Sequence, residues 1–269
     1  MIRSLDGVGW DELAAAFTEA FSDYAVPMQM TPAALATMQV RRGYVASSSF
    51  GAWEGSRLVG FVLTCRDGAR IYNSGTGVVP GRRRGGLARE LVERVIAGAA
   101  GAPYVLEVLE TNAKAIALYE AVGFVETRRF QCWTYAGEAR PGAIATDPEL
   151  EAFAAEADVE LSWQNSLASI RRAPEPPIVL GDAHGIVVVF PANGDVPLLA
   201  VRRDARRRGH GRNLLAAAAD AVGKPLRILN LDDRATGIAA FLDAAGATRT
   251  ARQLEMVRRP GDGRTLARR

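Results

Sequence analysis

The 269-residue chain is short of the residues most often asked to do covalent or metal chemistry: it has two cysteines, Cys65 and Cys132, and two histidines, His184 and His210. Each cysteine stands inside an apolar, strand-like stretch and no C-x-x-C occurs. Neither histidine sits in a ligand cluster, which leaves zinc and Cys-His nucleophilic catalysis poorly supported, and no metal is expected. Aromatic residues make up 7% of the chain and are not interleaved with its arginine runs, so a stacking surface for nucleic acid is not expected. No stretch at the N-terminus has the length of a secretory or membrane segment, and the expectation is a cytoplasmic protein with no membrane partner.

What is present is the composition of a globular protein, 48% apolar and 23% charged. At about 150 residues per domain the length suggests two. The net charge of +3 is modest, and much of the excess sits at Arg82 to Arg84, at Arg206 to Arg208 and in a tail ending Arg268-Arg269. Such clusters read as local anion sites or solvated ends.

The stretch from Gly77 to Leu91 is the most informative. An apolar strand end, Gly77 to Val79, runs into the turn Pro80-Gly81-Arg82-Arg83-Arg84-Gly85-Gly86, and a helix follows with apolar residues at Leu87, Leu91 and Val95. Glycines 85 and 86 allow backbone to approach a ligand, and the first N–H groups of a helix have no intrahelical partner and favour an anion. No Lys-Ser or Lys-Thr follows the glycines, so this is not a nucleotide P-loop, and the G-x-G-x-x-G spacing of a dinucleotide site is missing.

Downstream lie the apolar run Tyr104 to Leu109, interrupted by Glu107, and a helix pattern from Asn112 through Tyr119 to Gly123-Phe124. Val78-x-Pro80 with Arg83-x-x-Gly86-x-Ala88, followed by this second segment, resembles the acyl-CoA pyrophosphate loop and the following motif of the GNAT N-acetyltransferase superfamily, over roughly residues 50 to 130. The resemblance implies acetyl-CoA held by backbone of Val78 and Val79, by Arg83, Arg84, Gly85, Gly86, Leu87 and Ala88, and by Asn112, with one arginine of the run reaching phosphate. It also implies an acceptor pocket walled by the first helical pair. Helices are expected from Trp10 to Phe21 and from Thr31 to Arg42, the latter capped by Thr31 with Pro32 at its first position. Asp23, Tyr24 and Met28, in the loop between them, are candidate acceptor contacts, or else a turn residue and two core side chains.

β-Type runs at Phe50 to Trp53 and Leu58 to Thr64, a strand from Ile71, a helix, Tyr104 to Leu109, a helix and Val125 to Tyr135 complete an α/β (α+β) domain. The resemblance implies a mixed, mostly antiparallel sheet with helices on both faces and a splayed central pair. Ala136 to Gly142 reads as a connection, and the pattern then restarts. Helices are expected after Asp147-Pro148 and from a cap at Ser162, followed by strands at Pro176 to Leu180 and Ile186 to Phe190. Arg206-x-x-Gly209-x-Gly211 repeats the loop at an offset of 123 residues, and Leu229-Asn230-Leu231 and Gly246 keep that offset from Leu106-Glu107-Val108 and Gly123. Two tandem domains follow, 1–137 and 138–269. At that offset Glu107 becomes Asn230, Asn112 becomes Ala235, Tyr119 becomes Leu242 and Phe124 becomes Ala247, so the first copy is expected to be catalytic and the second degenerate.

An alkyl amine of pKa about 10.4 is neutral in fewer than about one molecule in a thousand at pH 7, so a base helps acyl transfer. Glu107, a carboxylate within an apolar strand, is the candidate base; the alternative is a rim carboxylate paired with Arg128 or Arg129. Tyr119 lies two helical turns from Asn112, and a phenol of pKa about 10 can protonate a departing thiolate, the role the resemblance gives it. Asn112 is equally a plain helix N-cap. The expected acceptor is a primary amine, most simply of a small molecule, on a monomer or homodimer. A CoA-binding sensor without turnover is the alternative.

Overall fold

The computed structural model describes residues 1–23, 29–143 and 149–261. In chain order the elements are β1 (Ile2–Ser4), α1 (Trp10–Ala20), α2 (Pro32–Arg42), β2 (Phe50–Glu54), β3 (Arg57–Asp67), β4 (Arg70–Val78), α3 (Leu87–Gly98), β5 (Tyr104–Leu109), α4 (Ala113–Ala121) and β6 (Val125–Tyr135). They continue as α5 (Leu150–Ala154), α6 (Leu167–Arg171), β7 (Ile178–Asp182), β8 (Gly185–Phe190), β9 (Asp195–Val201), α7 (His210–Val222), β10 (Leu226–Asp232), α8 (Thr236–Ala244) and β11 (Thr248–Arg258).

Contacts divide the chain into two compact units, Met1–Thr127 with the chain from Glu255, and Arg128–Leu254. This division differs from a cut after residue 137, which follows the sequence repeat. Most of β6 belongs to the second unit, where Phe130 to Tyr135 pair antiparallel with β10. The last turn of chain is held in the first unit: Thr127 Oγ1 donates to the Glu255 carboxylate (2.8 Å) and Arg258 Nε donates to Val122 O (3.1 Å).

In the first unit the strand order is β1-β2-β3-β4-β5, antiparallel except for the parallel β4–β5 pair. Alternation sorts β3 between two helical layers. Phe61 and Leu63 face α1 and α2, in a core with Leu13, Phe17 and Leu35. Gly60 faces α3, so closely that a Cβ there would stand 3.2 Å from Leu87 and 3.3 Å from Leu91. The α2 start follows from local chemistry: the Thr31 hydroxyl accepts from Ala34 N (3.1 Å) and Pro32 follows.

The feature that positions the site is a divergence of β4 from β5. Their register is Ile71 with Tyr104, Tyr72 with Val105 and Asn73 with Leu106, and it stops there although β4 runs on to Val78 and β5 to Leu109. At that point β4 carries one extra residue, Ser74, because Leu63 pairs with Gly75 and Thr64 with Asn73. A bulge bends its strand. The bend is braced by Asn73, whose Oδ1 accepts from Gly75 N (3.0 Å), and by Arg42, which donates to Ser74 Oγ (3.0 Å).

The second unit, with strand order β6-β10-β9-β8-β7, restates this plan. β9 also carries a bulge, since Val188 pairs with Leu198 but Phe190 with Asp195, and it meets β10 in parallel only at Asp195 and Arg227. Its helical start departs from the expected pattern. Asp147 and Pro148 lie outside the described residues, and Ser162 precedes a 3-10 turn, Trp163–Asn165, instead of capping a helix. Ser166 does the capping, accepting from Ser169 N (3.2 Å) at the head of the short α6.

Candidate active site

The loop between β4 and α3 has a backbone that L-residues rarely adopt: Arg84 has φ 69° and Gly86 has φ 81°. A left-handed non-glycine residue costs about 1–2 kcal/mol, so this shape is imposed by its surroundings. A Cβ built at Gly85 or Gly86 meets nothing within 4 Å. The loop therefore presents bare backbone beside the first turn of α3, whose leading N–H groups have no acceptor within the helix. The same shape recurs before α7, with Arg207 at φ 65° and Gly209 at φ 91°.

What imposes the shape is the arginine that opens each motif. Arg83 is turned inward: Nε donates to Val78 O (3.0 Å), Nη2 to Ala20 O (2.8 Å), and the fork grips Asp23 at 2.6 and 2.8 Å. Arg206 repeats every one of these contacts, with Val201 O (3.2 Å), Glu156 O (2.6 Å) and the Asp158 carboxylate (3.2 Å). Arg83 is thus a clasp for the loop, and Asp23, a candidate acceptor contact in the sequence, is its partner. The Arg83 hydrogen bond, opposed by partial burial, holds the Asp23 carboxyl below its usual value. Tyr24 and Met28 lie outside the described residues. Of the other arginines in the run, Arg82 pairs with Glu54, and Arg84 is exposed.

Beyond Asn73, the edge of β4 that faces β5 borders the gap. Val79 N donates across to Val59 O on β3 (3.0 Å), so by strand alternation the Val78 amide points into the gap and the Val79 amide does not. Of the two valines expected to offer backbone, Val78 is the one whose amide faces the gap. Glu107 lies on β5 where it diverges. It shares a face with Tyr72, the residue registered with Val105, and the Tyr72 hydroxyl donates to Glu107 Oε2 at 2.8 Å. That face is the one covered by α2, because Cys65, registered with Tyr72, contacts Gln39 there (3.7 Å). Arg128, one of the partners considered for Glu107, instead lies 3.7 Å from Asp232.

Tyr119 stands on the other side. Its ring packs edge to face on Phe124 (5.6 Å), which in turn packs on Tyr104 (5.2 Å). Tyr104 and Glu107 are three residues apart on one strand and point to opposite faces, so the acid candidate packs on the face of the sheet opposite the base candidate. Asn112 caps α4, accepting from Ala115 N (3.2 Å). Tyr72 is the residue that the sequence reading missed. One signal was available: at the offset of 123 residues Tyr72 becomes Asp195 just as Glu107 becomes Asn230, so the two positions change together.

The second unit differs from the first in packing as well as in side chains. Leu242 is buried in the core at the position of Tyr119, and the Phe241 ring packs on Gly211, where a Cβ would lie 3.4 Å from it. Arg212 spans the same interval, donating to Ala244 O of α8 (3.2 Å). Gly211, which in sequence looks like a better phosphate glycine than Ala88, makes room for an aromatic ring that fills the space between α7 and α8.

A sheet whose parallel strand pair diverges and a glycine-bearing turn that feeds a helix make up a fold of the N-acetyltransferase type. Residues 10–124 match the model of the Acetyltransferase (GNAT) family, so this part of the chain carries a domain of that family. No curated protein sequence matches the chain. Among solved structures, a GCN5-related N-acetyltransferase from Sphaerobacter thermophilus is similar with a TM-score of 0.67 at 16% identity, covering 97% of this chain and 96% of the other. A tandem GNAT protein from the clavulanic acid biosynthesis pathway gives 0.68 at 15% identity, covering 97% and 98%. At such identities the likeness is one of fold. Among the described residues no helix is long and apolar enough to cross a membrane.

Proposed function

We propose that the first unit transfers an acetyl group from acetyl-CoA to a primary amine of a small molecule, with Glu107 as base and Tyr119 as acid, and that the second unit takes no part in the chemistry. The observation that carries this reading is the divergence of β4 and β5 with Glu107 and Tyr119 on its two faces. Acetyl-CoA, the donor of the family, fits the residues present, because the backbone at Gly85 and Gly86 is open where a Cβ would meet nothing. The diphosphate is held by N–H groups from Arg84 to Ala88, with Arg84 as the arginine that reaches phosphate, since Arg82 and Arg83 are already paired. The Val78 amide and Asn112 hold the pantetheine arm. When bound, acetyl-CoA supplies the activated acetyl thioester.

The amine approaches from the α1–α2 side, where Glu107 Oε takes its proton, directly or through water, and makes it a nucleophile. Tyr119 Oη, on the α3–α4 side, donates a proton to the departing sulfur. Glu107→Gln should lower kcat/KM about 100-fold or more at pH 7 and progressively less toward pH 10, where the amine sheds its own proton. A loss of equal size at every pH would remove Glu107 from the base role. Release of thiol across a panel of small amines tests the acceptor class; tight CoA binding with no release would favour a sensor.

A further inference from the structure

We propose that Tyr72 is the positioning residue for Glu107, holding Oε2 of its carboxylate in place and in the ionised form on the acceptor side of the gap. This rests on the reading of Glu107 as base. The phenol is 3% exposed and reaches diagonally along the sheet from β4 to β5, 2.8 Å from Glu107 Oε2. A charge-assisted bond of that length both orients the carboxylate and favours its charged form. Tyr72 is suited to be a permanent donor: burial, followed by the negative charge of Glu107, keeps its hydroxyl protonated far above the ordinary tyrosine range. Arg42 of α2, which works against that shift, and Cys65 of β3 also bear on the Tyr72 hydroxyl.

The geometry explains why the pair sits where it does. Tyr72 is in the last stretch of β4 still registered with β5, while Glu107 is the first β5 residue past the end of that register. The anchor is on the closed part of the sheet and the reacting group on the open part. A carboxylate beside the gap gains a fixed orientation from a donor that stands on the closed part of the sheet. In the second unit both members are gone together: Asp195 pairs with Arg227 (3.1 Å), and Asn230 receives Gln253 Nε2 (2.9 Å).

The test is Tyr72→Phe, which keeps the ring and deletes the donor. Carbon-13 NMR of glutamate-labelled protein without acetyl-CoA, with the Glu107 resonance identified by its loss in Glu107→Gln, reads the carboxyl directly. Removing a hydrogen bond to a charged group raises the Glu107 titration by about one pH unit. The acid limb of the kcat/KM profile moves up by the same amount. Tyr104→Phe, which deletes a buried hydroxyl from the opposite face of β5, leaves the Glu107 titration where it is. An unchanged Glu107 titration in Tyr72→Phe overturns the proposal. A moved titration with an unmoved kinetic limb keeps the hydrogen bond but overturns the base role on which the proposal depends.

Discussion

The two glycine loops offer a perturbation with a built-in control. Gly86 has φ 81° and Gly209 has φ 91°, and at neither does a new Cβ meet any atom within 4 Å. Alanine at either position therefore carries the same backbone strain, about 1–2 kcal/mol, with no steric addition. For a chain of this size that lowers the melting temperature by about 2–4 °C per kcal/mol. The coenzyme separates the two. On the proposed function a methyl group on Gly86 stands where the diphosphate approaches the backbone, and losing one or two N–H bonds to a charged acceptor, at about 1.5–3 kcal/mol each, amounts to about 3 kcal/mol. The dissociation constant for CoA then rises about 150-fold. Gly209→Ala leaves it unchanged, because the space beside that loop holds Phe241. Titration calorimetry of the wild type should give one CoA per chain, and thermal melts of both variants should fall together. Equal weakening of CoA by both substitutions, or a Gly86→Ala protein that melts lower yet binds CoA as the wild type does, would refute the reasoning.

Tyr119→Phe should reduce kcat about tenfold or more with little change in CoA affinity, and full activity would reduce Tyr119 to a packing residue. Arg83→Lys should loosen the loop: one ammonium cannot serve Val78 O, Ala20 O and the Asp23 carboxylate together, so CoA should bind about tenfold more weakly with kcat preserved. In the second unit, burial pushes the Asp232 carboxyl up, but hydrogen bonds from Arg234 and the charges of Arg234 and Arg128 outweigh it and hold the carboxyl below its usual value. A depressed carboxyl contributes stability that is present above about pH 4 and lost as the pH falls through its folded value. Asp232→Ala leaves the nearly buried Arg128 without that carboxylate and should cost about 3 kcal/mol in urea unfolding at neutral pH; a loss below 1 kcal/mol would show Arg128 to be served elsewhere.

The chain's own patterns carry the local part of this structure. Thr31-Pro32 starts a helix because a hydroxyl and a fixed φ act within three residues, and Tyr104 to Leu109 is a strand bounded as its apolar run suggests. The repeat offset foretells paired loops with the same left-handed positions. What the sequence does not carry is set by neighbours distant in the chain. The inward turn of Arg83 depends on Ala20 and Asp23, some sixty residues earlier. Ser162 loses its helix because Ser166, four residues on, offers the next N–H groups a cap. Val79 differs from Val78 only through its bond to Val59, and Tyr72 meets Glu107 only because β4 and β5 lie side by side.

The exchange of chain between the units also bears on how the enzyme comes into being. A translating ribosome delivers Phe130 to Tyr135 well before β10, their partner, exists, and delivers Glu255 and Arg258 long after Thr127 and Val122, the first-unit residues they bind. The first unit gains these contacts only after the second unit, Arg128–Leu254, has emerged. A cut after residue 137 would part Phe130 to Tyr135 from β10 and leave both strands with raw edges open to self-association.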